Sequence, residues 1–164
     1  MYRGVKIPLA TGIVPLPVQP LDNYQWWGGK ANLANAMMTT KAPIAIPGGP
    51  GSTLSFSAAY DIEDYWDFLW VQASSDGGET WKTLINANTV CDHDPDWIGG
   101  LYGFPEDLCA AGIGGLTGYN EAFPDYEQQV FSLNFFRGKS ILLRFWYMTD
   151  WGTTYSGPFI DNVV

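Results

Sequence analysis

Four carboxylates crowd into one short segment of the sequence: Asp61, Glu63, Asp64 and Asp67. Hard cations such as calcium take about six to eight oxygen ligands, and a bound cation relieves the repulsion between clustered carboxylates. Asp150 and Asp161, which end two later apolar segments, join the same site if the fold brings the strand ends together. The sequence therefore predicts a calcium site, with an acidic turn exposed to solvent as the alternative.

The sequence contains two cysteines, Cys91 and Cys109, and one histidine, His93. In an extracellular protein the cysteines would close a disulfide, which contributes about 3 kcal/mol in the chain-entropy model. The alternative is a zinc site made of Cys91, His93, Cys109 and a loop aspartate. A second acidic group surrounds the cysteines: Asp92, Asp94, Asp96, Glu106 and Asp107. Its spacing lacks the loop glycine and the terminal glutamate of an EF-hand.

The sequence carries no signature of a catalytic centre. It has no His-Glu-x-x-His motif, no Gly-x-Ser-x-Gly motif and no phosphate-binding Gly-x-x-x-x-Gly-Lys-Ser/Thr loop. A Ser-His-Asp arrangement would depend on His93, which lies in the least regular part of the sequence. We therefore expect this chain not to be an enzyme.

Composition indicates one all-β domain. The 164 residues include 19 glycines and 11 prolines, and 16% of them are aromatic, which is typical of a turn-rich β protein. The formal net charge of −9 repels nucleic acid and anionic membranes. No run of about 18 apolar residues is present, so we expect no membrane insertion.

Three segments, 53–60, 68–74 and 141–148, alternate in a period of two, which predicts half-buried strands. If one set of side chains in each strand faces the core, parity places the other set outward. In the last two segments this outward set is largely apolar, which usually marks a binding site or an interface. Its members are Phe68, Trp70, Leu142, Trp146 and Met148. We expect Trp70 and Trp146 to be covered by residues 1–20, by the loop around the cysteines or by a neighbouring subunit.

Residues 1–20 are apolar and rich in proline, so we predict an arm or linker before a β-sandwich module at 21–164. The alternation is lost over about 86–125, which predicts a long irregular loop tied down by the disulfide. The sequence also stops within what reads as the closing strand. We therefore expect either a segment of a larger protein or a subunit completed by a neighbour.

Four blocks of the sequence resemble those of one known family, and they occur in the same order. They are NYQWWGGK at 23–30, the stretch from YDIEDYWD to SSDGGETW at 60–81, GKSILLRFWYMTD at 138–150 and GPFIDNV at 157–163. The family is the jelly-roll or MAM-like module of immune inhibitor A-type (M6) secreted metallopeptidases and related bacterial surface proteins. The resemblance implies a two-sheet antiparallel β-sandwich of jelly-roll-like topology, located outside the cell.

Three functions follow from these observations. The leading one is a non-catalytic extracellular module that supports or positions a neighbouring domain, with calcium as the only expected cofactor. The second is a self-assembling subunit of an extracellular fibre, in which the apolar arm adds a strand to the open sheet edge of another copy. The third is a carbohydrate-binding module whose exposed Trp and Tyr side chains stack on a glycan.

Overall fold

The computed structural model describes residues 15–164, which form two antiparallel sheets packed as a β-sandwich. The predicted all-β fold class is confirmed. The strands in this range are β1 (Trp26–Trp27), β2 (Asn35–Thr39), β3 (Ile44–Ala45), β4 (Thr53–Asp61), β5 (Phe68–Ser74), β6 (Lys82–Thr83), β7 (Glu127–Ser132), β8 (Ser140–Met148) and β9 (Gly157–Asp161). Two short 3₁₀ helices cover Ile98–Tyr102 and Asn134–Phe136. No helix among residues 15–164 is long and apolar enough to span a membrane.

The chain passes repeatedly from one sheet to the other. Sheet A has the strand order β1-β9-β4-β7, and sheet B has the order β2-β8-β5-β6, with β3 paired to the start of β8. Neighbouring strands in both sheets are antiparallel. Because β4 leads into β5 and β8 leads into β9 across the sandwich, the turns that follow β4 and β8 lie at the same end.

The main core lies between the sheets and is built by the alternation that the sequence displays. Leu69 and Val71 of β5 are paired with Tyr147 and Phe145 of β8, and all four side chains are buried in this core. From sheet A, Phe56 meets Phe145 edge to face, with ring centroids 4.9 Å apart. The strands expected over 53–60, 68–74 and 141–148 are confirmed, and alternate side chains of each lie in this core.

The outer face of sheet B is covered by residues 86–125 of the same chain, which we call the covering loop. Its predicted disulfide between Cys91 and Cys109 is confirmed. Trp97 and Leu108 of the loop form a second buried cluster with the outward side chains of β5 and β8. Within this cluster the ring of Trp70 lies 4.3 Å from that of Phe104, and Trp70 is 0% exposed.

The covering loop contains more regular backbone than its sequence indicates. Leu116 exchanges backbone hydrogen bonds of 2.9 and 3.0 Å with Leu69, so it continues the sheet edge where β6 ends. Val90 pairs in turn with Gly115. A Cβ atom at Gly115 would lie 3.0 Å from the indole of Trp70, so glycine allows the backbone to approach the sheet this closely.

The described end of the predicted arm lies on the outer face of sheet A. Val18 is buried with Ala59 and Phe159, and Leu16 packs against the same cluster. The side-chain amide of Gln25 donates a 2.9 Å hydrogen bond to the carbonyl of Val18. Residues 1–14, which form most of the predicted arm, lie outside the described residues.

The disulfide should contribute measurably to stability because it closes the covering loop over the second cluster. Replacing both cysteines, Cys91→Ser with Cys109→Ser, should lower the free energy of unfolding by about 3 kcal/mol. Urea denaturation followed by circular dichroism measures the change, with the reduced native protein as the matched comparison. An unchanged denaturation midpoint in both samples would contradict a stabilising role for the disulfide.

Candidate metal centre

Three of the six carboxylates predicted to bind calcium meet at one end of the sandwich. One oxygen each from Glu63, Asp67 and Asp150 lie within 4.8 Å of one another. Asp67 is 0% exposed and Asp150 is 4% exposed, while Glu63 is half-buried. The three side chains therefore form a compact acidic cluster that is largely shielded from solvent, which we call the carboxylate cluster.

The register of sheet B brings this cluster together. Phe68 begins β5 and is paired with Met148, which ends β8. Asp67 directly precedes Phe68, and Asp150 lies two residues after Met148. The two carboxylates therefore lie close together at the same end of sheet B. Glu63 joins them because the backbone N–H of Asp67 donates a 3.0 Å hydrogen bond to the carbonyl of Glu63, which closes the turn after β4.

Burial and mutual repulsion make the ionised form of Asp67 costly. Burial, together with the negative charges of Asp150 and Glu63, raises the pKa of Asp67 to about 7. The backbone N–H of Asp150 donates a 3.1 Å hydrogen bond to Asp67 Oδ1, and this bond lowers the pKa of Asp67. The hydroxyl of Tyr147 lies 3.4 Å from Asp67 Oδ2, and burial raises the pKa of this tyrosine as well.

One oxygen of the carboxylate cluster has no hydrogen-bond donor. Glu63 Oε2 is buried, and no partner for it exists among residues 15–164. A buried carboxylate oxygen without a partner is costly unless a proton or a cation compensates for it. Carboxylate oxygens are the ligands that calcium prefers, and three carboxylates supply up to six of them. The residues present therefore fit a hard divalent cation.

The other three predicted ligands have different surroundings. Asp61 accepts a 3.0 Å hydrogen bond from the hydroxyl of Ser156. Asp161 accepts a 2.8 Å bond from the backbone N–H of Leu21, and Asp64 is exposed. Of the six predicted ligands, Glu63, Asp67 and Asp150 are therefore brought together, and Asp61, Asp64 and Asp161 are not part of this cluster.

The alternative zinc site around the cysteines is not formed. Both sulfur atoms belong to the disulfide, so they cannot bind a metal as thiolates. The two ring nitrogens of His93 each lie 2.9 Å from a backbone carbonyl, those of Asp94 and Glu106. Within the second acidic group, Asp94 and Asp107 accept hydrogen bonds from nearby loop N–H groups. These two aspartates therefore help to order the covering loop.

The outward aromatic residues of sheet B do not form a free interface. Phe68, Trp70 and Met148 are fully buried, and Trp146 is 9% exposed. Among the residues predicted for a binding surface, Leu142 alone is half-buried. The expected cover of Trp70 and Trp146 is the loop around the cysteines, one of the three alternatives named from the sequence, so the buried residues are not open to a partner. The aromatic residues of the covering loop, Trp97, Tyr102 and Phe104, lie in a glycine-rich stretch without alternation, so the sequence does not single this loop out among the three covers.

The raised pKa of Asp67 predicts a specific dependence of stability on pH. Its folded-state value of about 7 lies above the ordinary 3.8, so the folded protein keeps a proton that the unfolded chain loses. The stability from this proton is complete below about pH 4 and is lost as the pH rises through 7, at up to about 1.4 kcal/mol per pH unit.

Asp67→Asn should remove this component of the pH dependence, because asparagine does not titrate. Thermal and urea denaturation in the presence of a chelator, from pH 5 to pH 8, measures it as the difference between wild type and variant. Asp125→Asn, at an exposed aspartate outside the carboxylate cluster, is the matched control. Parallel pH profiles for wild type and Asp67→Asn would contradict a protonated Asp67.

Comparison with known proteins relates the chain to part of a protease. The sequence matches no protein-family profile. It is 23% identical over 121 residues to the pre-pro-metalloprotease PrtV of Vibrio cholerae serotype O1, both in strain M66-2 and in strain ATCC 39315 / El Tor Inaba N16961. The similarity covers 74% of this chain but 11% of each relative. The chain therefore spans about a tenth of the length of the relatives that it matches.

Proposed function

We propose that this chain is a non-catalytic β-sandwich module of an extracellular protein, and that it supports or positions neighbouring domains. The observation that carries the proposal is the extent of the similarity to PrtV, which includes most of this chain and about a tenth of the metalloprotease. A module of this size accompanies a catalytic domain without containing it. The absence of a His-Glu-x-x-His motif from the sequence agrees with this assignment.

The architecture suits a supporting role. β5 is buried along its whole length, because sheet A covers one face and the covering loop covers the other. The disulfide joins Cys91 and Cys109 across the loop. Such a body presents a fixed surface to its neighbours, and the disulfide favours an extracellular setting.

Calcium is proposed as the stabilising ion of this module. Glu63, Asp67 and Asp150 would hold it, and backbone carbonyls or water would supply the remaining oxygen ligands. The bound ion would neutralise the repulsion within the carboxylate cluster and give Glu63 Oε2 a partner. It would also join the turn after β4 to the end of β8.

Calcium should raise the melting temperature of wild type, because a ligand that binds only the folded state stabilises it by mass action. Calcium at about 100 times its dissociation constant would add about 2.7 kcal/mol. Calorimetry in chelator and in millimolar calcium measures the shift, and elemental analysis of the dialysed protein checks for bound metal.

Glu63→Gln and Asp150→Asn should each reduce the calcium-induced shift, whereas Asp125→Asn should retain it. Both substitutions also lessen the repulsion around Asp67, so they should raise the melting temperature in chelator. If wild type has the same melting curve with and without calcium and elemental analysis finds no metal, the proposed calcium site is contradicted. The carboxylate cluster would then bind a proton rather than a cation.

A second candidate, assembly by strand addition, is favoured by an apolar opening between the sheets. β2 is an edge strand of sheet B, and its inward residues Ala36 and Met38 are only half-buried. Two adjoining cavities of about 280 and 210 Å³ share Thr40, Leu143, Phe145 and Val163 in their lining. An apolar strand from the arm of another copy would cover this opening, as in the self-assembling subunit described above.

The two functions differ in measurable properties of the isolated chain. As a supporting module, the 164-residue protein should remain monomeric and hydrolyse neither casein nor short peptides, because it has no catalytic motif. Light scattering and a fluorescent protease assay test both points. Hydrolysis sensitive to a chelator would contradict the proposed function. Concentration-dependent assembly that disappears on deletion of residues 1–14 would favour strand addition instead.

A further inference from the structure

The guanidinium of Arg144 lies between two indole rings on the outer face of sheet B. Its central carbon is 4.1 Å from the ring centroid of Trp81 and 4.9 Å from that of Trp146. Nε donates a 2.9 Å hydrogen bond to Gln72 Oε1, and Nη2 donates to the same oxygen. Gln72 is fixed in turn by a 3.1 Å bond from its Nε2 to Thr83 Oγ1. Arg144 is therefore held in one orientation before any ligand arrives.

This fixed guanidinium keeps N–H donors that are available to a ligand. A guanidinium carries five N–H groups, and two of its nitrogens share the single Gln72 oxygen. The third nitrogen, Nη1, has the sulfur of Met37 at 4.0 Å as its partner, and sulfur is a weak acceptor. No carboxylate pairs with Arg144 within the part of the chain that the structure describes. An oriented guanidinium with unused donors is suited to bind a planar or tetrahedral anion through two hydrogen bonds.

Arg144 lies in a groove between β6 and the covering loop. A cavity of about 200 Å³ is lined by Arg144, Gln72, Thr83, Trp81, Tyr102 and Phe104, among others. It shares Trp81, Thr83 and Ile113 with a cavity of about 440 Å³ that extends around the edge strand β6. Trp81, Tyr102 and Phe104 are half-buried, so aromatic surface remains accessible. We call the two cavities together the Arg144 groove.

Positive charge continues along this groove. Lys82 and Lys139 lie over the ring of Phe135, with Nζ 4.7 and 5.2 Å from its centroid, and Lys82 and Phe135 line the larger cavity. Arg137, in the turn between Phe135 and β8, donates a 3.2 Å hydrogen bond to Asn134. Arg144 and Lys82 line the two cavities, whereas Asp76 and Glu79 are exposed carboxylates beside Thr80 of the larger cavity. The positive charge of the groove is thus concentrated at Arg144 and Lys82.

We propose that the Arg144 groove binds an acidic sugar residue within a glycan. Arg144 would hold its carboxylate or sulfate group, and the exposed faces of Trp81 and Tyr102 would contact the apolar face of the sugar ring. The half-buried hydroxyl of Thr83, which accepts from Gln72, can donate to a sugar oxygen. Convergent polar groups within an aromatic-lined recess are the usual features of a small-ligand site.

The overall charge narrows the choice of ligand. A densely charged polyanion such as nucleic acid is repelled by the rest of a molecule with net charge −9. A glycan with one anionic group in every second sugar places fewer charges near the protein. An acidic peptide supplies carboxylates but lacks a ring face for the indole of Trp81. Widely spaced anionic groups carried on sugar rings therefore match the groove best.

Isothermal titration calorimetry with defined oligosaccharides tests this proposal. The carboxylate probe is a hexasaccharide of alternating glucuronate and N-acetylglucosamine, and the sulfate probe is a hexasaccharide of alternating galactose and N-acetylglucosamine 6-sulfate, which has the same spacing of anionic groups. A neutral N-acetylglucosamine hexasaccharide and hexaglutamate are the comparisons. We expect at least one anionic glycan to bind at least about tenfold more tightly than either comparison, because a charge-assisted bidentate contact is lost in the neutral glycan and ring stacking is lost in the peptide.

Three variants locate the binding within the groove. Arg144→Lys keeps the positive charge but removes the planar guanidinium that makes two hydrogen bonds to one anion. This substitution should weaken binding about tenfold. Lys82→Ser with Lys139→Ser changes exposed side chains and should weaken binding about threefold at low salt. Lys41→Ser, at an exposed lysine outside the groove, should leave affinity unchanged.

Each outcome decides the question. Circular dichroism spectra and melting curves of the variants confirm that a loss of affinity comes from a folded protein. If Arg144→Lys does not fold, the double lysine variant still tests the groove. No binding of either anionic glycan would overturn the proposal, and so would equal binding of hexaglutamate or equal losses in Lys41→Ser. A preference for the carboxylate or for the sulfate probe identifies which anionic group the groove takes.

Discussion

The structure depends on one constraint: β5 is apolar on both faces, so both faces must be covered. Its inward side chains pack against sheet A, whereas Phe68 and Trp70 point to the opposite side. Alternation along a strand makes this division unavoidable, since a shift of register would only exchange the two faces. The covering loop meets this constraint because it covers the outer face of β5. Its path then places Tyr102 and Phe104 beside Arg144 and so forms one wall of the groove.

The burial of Trp70 under this cover brings both an energetic gain and a cost. Burying the indole of Trp70 contributes about 1.5–3 kcal/mol by area bookkeeping. However, Trp70 Nε1 is buried with no hydrogen-bond partner among residues 15–164, which costs about 1–3 kcal/mol. The two terms are of similar size, so this aromatic contact alone does not order an irregular loop. The disulfide and the pairing of Leu116 with Leu69 supply further stabilisation.

The sequence predicts the strands well because alternation is a local property. It also predicts that the outward face is covered, since parity follows from the inward set. It names the loop around the cysteines only as one of three candidate covers, because the contacts of Trp97 and Phe104 with β5 leave no periodic pattern. The candidate site was only partly predictable for a similar reason. Which carboxylates meet depends on the register between strands, and no single strand contains that information.

Asp161 illustrates this limit. In β9, Gly157 is paired with Asp61, whereas Asp161 is paired with Ser57. Asp161 therefore lies about 13 Å along the strand from the end where β4 leads into the acidic turn. Asp150 resembles it in sequence as an aspartate at the end of an apolar segment. It nevertheless reaches Asp67, because β8 ends opposite the start of β5.

The carboxylate cluster and the Arg144 groove occupy different parts of sheet B, and their separation bears on how they act. Asp67 directly precedes β5, whereas Gln72, which orients Arg144, lies about 16 Å further along the strand. Salt screens exposed charges beyond about 8 Å, but it screens buried charges such as Asp67 and Asp150 much less. At an effective dielectric constant of about 20, two unit charges about 16 Å apart interact by about 1 kcal/mol. A cation among the carboxylates would therefore reduce the attraction between the cluster and Arg144 by an amount of this order, besides any effect passed through β5 and the covering loop.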